Sequence, residues 1–118
     1  MQMNTIKKDY HLTQEMIDRY GEINGDNDII HYDVEYARDR GFKAPIAHGL
    51  MVQGYASALG AEKYGAEWFT RGEIEVKFVG PLYPDETITV EIDDEGRLNV
   101  AAGERTCIVG TARLRDAG

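Results

Sequence analysis

An aspartate and a histidine, Asp26 and His31, lie five residues apart in a polar segment rich in turn-forming residues. A carboxylate can orient an imidazole and let it transfer a proton near neutral pH. Loops held on a rigid scaffold are the usual place for such pairs. The spacing makes both residues candidates for general acid–base catalysis; the simpler alternatives are a turn or cap role for Asp26 and a surface position for His31.

His48 and Gly49 stand inside a charge-free segment, residues 44–61, that predicts a helix beginning near position 48 or 49 and extending past Glu62. The first N–H groups of a helix lack intrahelical partners, and the helix dipole is positive at that end. Gly49 therefore offers a donor to a carbonyl oxygen that gains negative charge, since glycine permits close approach to the backbone. His48 is a candidate substrate contact, with capping or packing as the alternative.

One stripe of this helix is small and polar. At about 100° per residue its members fall within roughly 80° of one another; they are Gly49, Gln53, Ser57 and Gly60. A buried amide or hydroxyl without a partner costs about 1–3 kcal/mol. Two interpretations stay open: neighbouring backbone partners the polar groups while small residues allow close packing, or a ligand contacts the stripe.

Two shorter helices precede this segment. The first has a helical spacing of apolar positions, which are Leu12, Met16, Ile17 and Tyr20. Thr13 is its predicted N-cap and Gly21 its predicted end. The second is predicted from Asp33 through Arg40, closed by Gly41.

After Gly65 the apolar period changes to two, which predicts antiparallel strands with one wet face. The alternating residues are Ile74, Val76 and Phe78, then Ile88, Val90 and Ile92. Further strands are predicted over 98–102 and 106–114. A long buried helix followed by such strands predicts one α+β domain spanning 1–118, with an antiparallel sheet wrapped around the long central helix.

Composition excludes several functions. The 118 residues include 21 acidic and 13 basic side chains, for a net charge of −8, which argues against nonspecific binding to nucleic acid or anionic membranes. Cys107 is the single cysteine, so we expect a reducing, cytoplasmic location. We expect neither a secretory signal nor a membrane span. The three histidines lack a spacing typical of zinc sites.

The chain from Tyr20 to Gly60 resembles the MaoC-like dehydratase family, which includes the (R)-specific enoyl-CoA hydratases. The family signature reads approximately Ser/Thr-Gly-Asp-x-Asn-Pro-hydrophobic-His, then Ala-x-x-x-Gly-Phe, then Pro-Ile-x-His-Gly. The matching residues are Gly25, Asp26, His31, Ala37, Gly41, Phe42, Pro45, Ile46, His48 and Gly49. Residues 76–81 and 84–87 resemble the strand and turn that follow the family's long helix. The chain departs from the signature at Asp28-Ile29, which replaces Asn-Pro.

The resemblance implies a hot-dog fold, subunits paired into a homodimer or higher homo-oligomer, and a role in fatty acid metabolism. The implied reaction is reversible syn addition of water to a trans-2-enoyl thioester of CoA or acyl carrier protein, without a metal or redox cofactor. Asp26 and His31 would activate the water, Gly49 would stabilise the thioester oxygen, and Ser57 would contact the substrate near the reacting end. Two alternatives stay open, a hot-dog acyl-CoA thioesterase and a noncatalytic acyl-CoA-binding subunit.

Overall fold

The computed structural model describes residues 5–25 and 28–116. The helices are α1 (Gln14–Asn24), α2 (Val34–Asp39), α3 (Gly49–Tyr64) and α4 (Trp68–Arg71), with 3-10 turns at Ile29–His31 and Gly65–Glu67. The strands are β1 (Ile6–His11), β2 (Gly72–Phe78), β3 (Thr87–Ile92), β4 (Arg97–Ala102) and β5 (Arg105–Leu114).

The five strands form one antiparallel sheet in the order β1-β3-β4-β5-β2, so that β1 and β2 are its edges. Helix α3 packs against this sheet and shares one hydrophobic core with it. Residues at the centre of that core include Val52, Ala56, Leu59, Ile88, Val90, Val100 and Ile108. The predicted α+β arrangement, a sheet around a long helix, is confirmed.

Helix α3 begins at Gly49 as predicted, but its charge-free sequence does not bury it on most sides. Leu50 is 62% exposed, and Gly54 and Ala58 are exposed on the same flank. The sheet covers one side of the helix, and within the described residues no strand covers this flank. Within one chain, α3 is therefore buried on the side that faces the sheet.

Local capping follows the sequence. The Thr13 hydroxyl accepts a hydrogen bond from the Met16 N–H at 3.1 Å, and the Asp33 carboxylate accepts one from the Tyr36 N–H at 2.9 Å. Gly41 closes the α2 segment with a left-handed φ of 94°. These contacts satisfy N–H groups that a helix leaves without partners.

Two features at the N-terminal side differ from expectation. Strand β1 was not predicted, because only Ile6 and Tyr10 of its residues pack toward the core and charged side chains fill the remainder. Helix α1 does not end at Gly21, which is buried within the helix; it continues to Asn24 and is capped by Gly25, whose φ is 76°. Gly25 has the left-handed conformation that is typical of a glycine at a helix end.

In the described part of the chain, every helix is too short or too polar to cross a lipid bilayer.

Candidate active site

Hydrogen bonds from the preceding residues and from the segment before α3 fix the 3-10 turn that contains His31. The Asp28 carboxylate accepts a hydrogen bond from the Ile30 N–H at 3.0 Å, and its carbonyl accepts one from the His31 N–H at 3.2 Å. Asp28 thereby caps the 3-10 turn that carries the histidine. The segment that leads into α3 is tied to the same turn, because the Ile46 N–H donates to the Ile30 carbonyl at 3.2 Å.

The His31 side chain is 9% exposed, so the predicted surface alternative is excluded. Its Nδ1 lies 2.8 Å from the carbonyl oxygen of Ile46. Because a carbonyl oxygen only accepts hydrogen bonds, Nδ1 is the nitrogen that donates to it. Nε2 is then the ring nitrogen left to exchange a proton in general acid–base catalysis.

His48 packs directly on His31. The two imidazole rings are stacked, with centroids 3.8 Å apart, and His48 is only 2% exposed. Its Nε2 lies 3.3 Å from the Tyr32 hydroxyl, and the Tyr20 ring is 4.9 Å away. His48 thus has the packing contacts of the alternative interpretation, and its contact with substrate stays a prediction.

His31 and Gly49 line one cavity of about 310 Å³ at the start of α3. Its other lining residues are Ile46, Ala47, Leu50, Phe78, Gly80, Pro81 and Leu82. The walls are therefore apolar apart from the imidazole and the backbone. A buried base and the N-terminus of a long helix face the same small, apolar space, where electrostatic contacts are stronger than in water.

Asp26, the other half of the predicted pair, lies outside the described residues, so the pair stays a prediction. Its neighbour Asp28 serves as N-cap, and Ile29 occupies the first position of the 3-10 turn. Asparagine caps as well as aspartate does, and proline is favoured at a first helical position. The replacement of Asn-Pro by Asp28-Ile29 thus preserves the local structure that presents His31.

Ser57 lies in a different cavity, of about 600 Å³, which it shares with Gln53 and Trp68. Its hydroxyl accepts a hydrogen bond from the Trp68 indole N–H at 3.2 Å. At about 1.5 Å per residue, Ser57 is roughly 12 Å along α3 from Gly49. The structure therefore does not bring Ser57 beside His31 within one chain, although Leu50 lines both cavities.

The glycines of the polar stripe make room for aromatic rings. A Cβ added to Gly60 would lie 2.7 Å from two ring carbons of Trp68, and one added to Gly49 would lie 2.5 Å from a ring carbon of Phe78. Both distances are shorter than carbon atoms tolerate. Close packing therefore explains Gly49 and Gly60, and the Trp68 indole is the partner of Ser57.

A charged cluster that the sequence did not reveal supports the cavity wall. The Arg105 guanidinium bonds both oxygens of Glu86 and donates to the Pro81 carbonyl at 3.2 Å. The Tyr83 ring is close to two cations, with Lys43 Nζ at 4.7 Å and Arg105 Cζ at 5.2 Å from its centroid. Glu86 and Arg105 are nineteen positions apart, so no local sequence pattern indicates this pair.

The hydrogen bonds from Arg105 hold the pKa of the Glu86 carboxyl below its ordinary value, and burial opposes this shift. Among residues 5–25 and 28–116, no cluster of three or more His, Cys, Asp or Glu side chains is arranged to hold a metal ion.

Comparison with solved structures defines the class of fold. A MaoC-like dehydratase from Phytophthora capsici superposes with a TM-score of 0.80 at 27% identity, over 94% of this chain and 40% of that one. An (R)-hydratase from A. caviae involved in PHA biosynthesis superposes with a TM-score of 0.75 at 16% identity, over 94% and 92%. The sheet wrapped around α3 is the hot-dog fold, as predicted.

A family model described as the MaoC like domain matches residues 2–114, and the chain belongs to this family. The peroxisomal hydratase-dehydrogenase-epimerase of Neurospora crassa is 38% identical over 74 residues, which are 63% of this chain and 8% of that protein. Enoyl-CoA hydratase ChsH3 of Mycobacterium tuberculosis is 34% identical over 89 residues, 66% of this chain and 28% of that protein. The chain thus spans less than a third of these curated relatives.

Proposed function

We propose that this domain is an (R)-specific enoyl-CoA hydratase, a hydro-lyase that adds water reversibly and syn to a trans-2-enoyl thioester. The observation that carries the proposal is the buried His31, oriented by the Ile46 carbonyl at 2.8 Å and lining the same apolar cavity as Gly49. Relatives named as hydratases support the reaction class. Among residues 5–25 and 28–116, no structural feature favours the thioesterase or the noncatalytic subunit.

In the hydration direction, His31 and Asp26 hold one water molecule and accept a proton as its oxygen bonds to C3 of the substrate. C2 receives a proton from the same pair, so the atoms of one water are added across the double bond. The electron pair of the double bond moves toward the thioester carbonyl, whose oxygen gains negative charge. The Gly49 N–H stabilises that oxygen, because it stands at the positive end of α3.

The remaining predicted site residues take supporting parts. His48 stacks on His31 and fixes the plane of its ring. Ser57 stays a proposed substrate contact, and its distance of roughly 12 Å along α3 from Gly49 supports a contact with a part of the thioester away from the reacting carbons. The carrier is CoA or acyl carrier protein.

A homodimer or higher homo-oligomer is part of the proposal. The edge strand β2 and the exposed flank of α3 border one cavity, which is lined by Leu50, Phe69 and Ile74, and Leu50 is 62% and Phe69 79% exposed. Such apolar side chains, close together on a surface, are typical of an interface. Static light scattering tests this assembly, and a monomeric mass at micromolar concentration would contradict it.

The proposed compartment is the cytoplasm, where a buried free thiol such as Cys107 persists. Some relatives carry peroxisomal names, so fractionation of the source cells is the test, and recovery with peroxisomes would overturn this part.

The test of function is hydration of crotonyl-CoA, followed by loss of enoyl-thioester absorbance and chiral analysis of the product. His31→Gln should lower kcat by about 10²–10⁴-fold, the usual contribution of a general base. His11→Gln is the matched control, because His11 is exposed and bonds Thr87 away from the cavity. Circular dichroism checks that both variants fold.

Three outcomes are distinguishable in this assay. Loss of absorbance that depends on His31 and gives the (R)-alcohol supports the proposal. Undiminished turnover in His31→Gln contradicts the assigned mechanism. Release of free thiol without loss of the double bond moves the assignment to a thioesterase.

A further inference from the structure

The last residue of β2 lies on the first residue of α3. Alternation predicted that Phe78 faces the core with Ile74 and Val76, yet its side chain is 51% exposed. A Cβ on Gly49 would lie 2.5, 2.8 and 3.1 Å from three carbons of the Phe78 ring. Carbon atoms in contact are normally about 3.5–4.0 Å apart. The ring therefore occupies the space that any side chain at position 49 would need.

Phe78 is also a wall of the cavity that contains His31. Gly49 lies on the helix side of this space, and Leu82 is another wall residue. The proposed carbonyl-binding N–H therefore belongs to the residue on which the Phe78 ring rests. A substrate whose carbonyl oxygen reaches that N–H must place the neighbouring carbon atoms beside the ring.

The main chain that follows Phe78 is held in place by hydrogen bonds to β5. The Val79 and Gly80 N–H groups both donate to the Cys107 carbonyl, at 2.8 and 3.1 Å. The Pro81 carbonyl accepts from the Arg105 guanidinium at 3.2 Å and from the Cys107 thiol at 3.4 Å.

The next residue of this wall is tied to the segment before α3, because the Leu82 carbonyl accepts a hydrogen bond from the Ala47 N–H at 2.6 Å. The main chain of the wall is therefore fixed on two sides. The half-exposed Phe78 side chain extends from this fixed main chain and bounds the cavity beside Gly49.

We propose that Phe78 is a specificity-determining residue that excludes enoyl thioesters branched at C2. The inference rests on the proposed function, because it uses the carbonyl oxygen at the Gly49 N–H as its reference point. The cavity is apolar, with Leu50 and Leu82 among its walls, and so suits the hydrocarbon side of the thioester rather than the amide-bearing carrier arm. A methyl group on C2, next to the carbonyl carbon, meets the Phe78 ring.

The test compares Phe78→Ala with wild type on crotonyl-CoA and on its 2-methyl derivative, tiglyl-CoA. The ratio of kcat/KM for the branched over the unbranched substrate should rise about tenfold or more, since one methyl group in a tight apolar pocket has an effect of this size. Val79→Ala is the matched control: Val79 is next in the chain and 49% exposed, but does not line the cavity. Its ratio should stay within about twofold of wild type.

Binding of saturated thioesters gives a second readout that does not need turnover. Isothermal titration with butyryl-CoA and 2-methylbutyryl-CoA should show the same change of preference in Phe78→Ala. Light scattering on each variant checks that assembly is unchanged.

An active wild type whose branched-to-unbranched ratio equals that of Phe78→Ala overturns the specificity role and leaves the proposed function standing. An inactive wild type whose binding preference still shifts in Phe78→Ala contradicts the proposed function and supports the specificity role. An inactive wild type with no shift in binding overturns both.

Discussion

At residue scale, Ile29 occupies a position that suits proline. It is the first residue of the 3-10 turn, where an N–H has no intrahelical partner. Asp28 before it is already extended, with φ −65° and ψ 121°, as a residue preceding proline must be. Ile29→Pro should therefore raise the free energy of unfolding by about 0.4–1 kcal/mol, because proline restricts the unfolded chain. Chemical denaturation measures this change.

Ile30→Pro is the opposite control for that prediction. The Ile30 N–H donates to the Asp28 carboxylate at 3.0 Å, and proline has no N–H to donate. This variant should lower the free energy of unfolding and the proposed hydratase activity together, since the turn presents His31. Equal effects of proline at positions 29 and 30 would contradict the capping description.

The residues of the site could be predicted from sequence only in part. His31 was identified by its spacing from Asp26 and by the family signature, and its burial agrees with a functional position. The stacking of His48 on His31 could not be predicted, because it depends on how the segment before α3 packs against a 3-10 turn. Ser57 was predicted at the reacting end, whereas its position along α3 depends on helix length and its partner Trp68 lies beyond the helix.

At the scale of elements, the Glu86–Arg105 pair joins the start of β3 to the start of β5. Both side chains are mostly buried, with exposures of 24% and 33%. Glu86→Gln should lower the free energy of unfolding at pH 7 by about 1–2 kcal/mol, the usual effect of losing a charge-assisted hydrogen bond. Urea denaturation of both proteins across a range of pH measures the difference.

The pH dependence has a definite sign. The pKa of Glu86 lies below its ordinary value of 4.5 in the folded protein because Arg105 bonds the ionised carboxylate. Its contribution is therefore complete above pH 4.5 and is lost as the pH falls through the folded pKa. The difference in the free energy of unfolding between wild type and Glu86→Gln should therefore shrink as the pH falls. The control is Glu104→Gln, at an exposed carboxylate, which should change the free energy of unfolding by less than about 0.5 kcal/mol. A difference between wild type and Glu86→Gln that does not depend on pH would contradict the ion pair.

The elements themselves were predictable where apolar periodicity was strong. Strands β2 to β5 follow from their apolar patterns, because each has one face on a common core, whereas helix α3 was predicted from its charge-free segment. Strand β1 escaped prediction, since an edge strand with two core residues has little periodicity. The true end of α1 also escaped, because whether Gly21 or Gly25 ends the helix depends on what packs beside each one.

At the scale of the whole molecule, the hot-dog fold makes one short segment serve two purposes. Residues 79–86 connect edge strand β2 to β3, and Gly80, Pro81 and Leu82 of this segment form a wall of the proposed catalytic cavity. Arg105 and Cys107 of β5 fasten this segment through Pro81. Stability of the sheet and shape of the cavity are therefore coupled, so a variant that loosens β5 should also alter substrate preference.

The reactivity of the Cys107 thiol provides a way to measure how often the segment around Pro81 opens. The thiol is completely buried, so an aromatic disulfide reagent reacts with it only during the fraction of time that the wall is open, and the rate of labelling reports the opening equilibrium. A bound saturated acyl-CoA should slow the labelling of Cys107 in proportion to its occupancy. Glu86→Gln should accelerate the labelling about tenfold if the Glu86–Arg105 pair contributes about 1.4 kcal/mol. Labelling of Cys107 as fast as in urea would show that this segment is open in the native protein. A slow rate that falls further with ligand would show that the segment opens rarely, and Cys107 would then report its opening without an engineered probe.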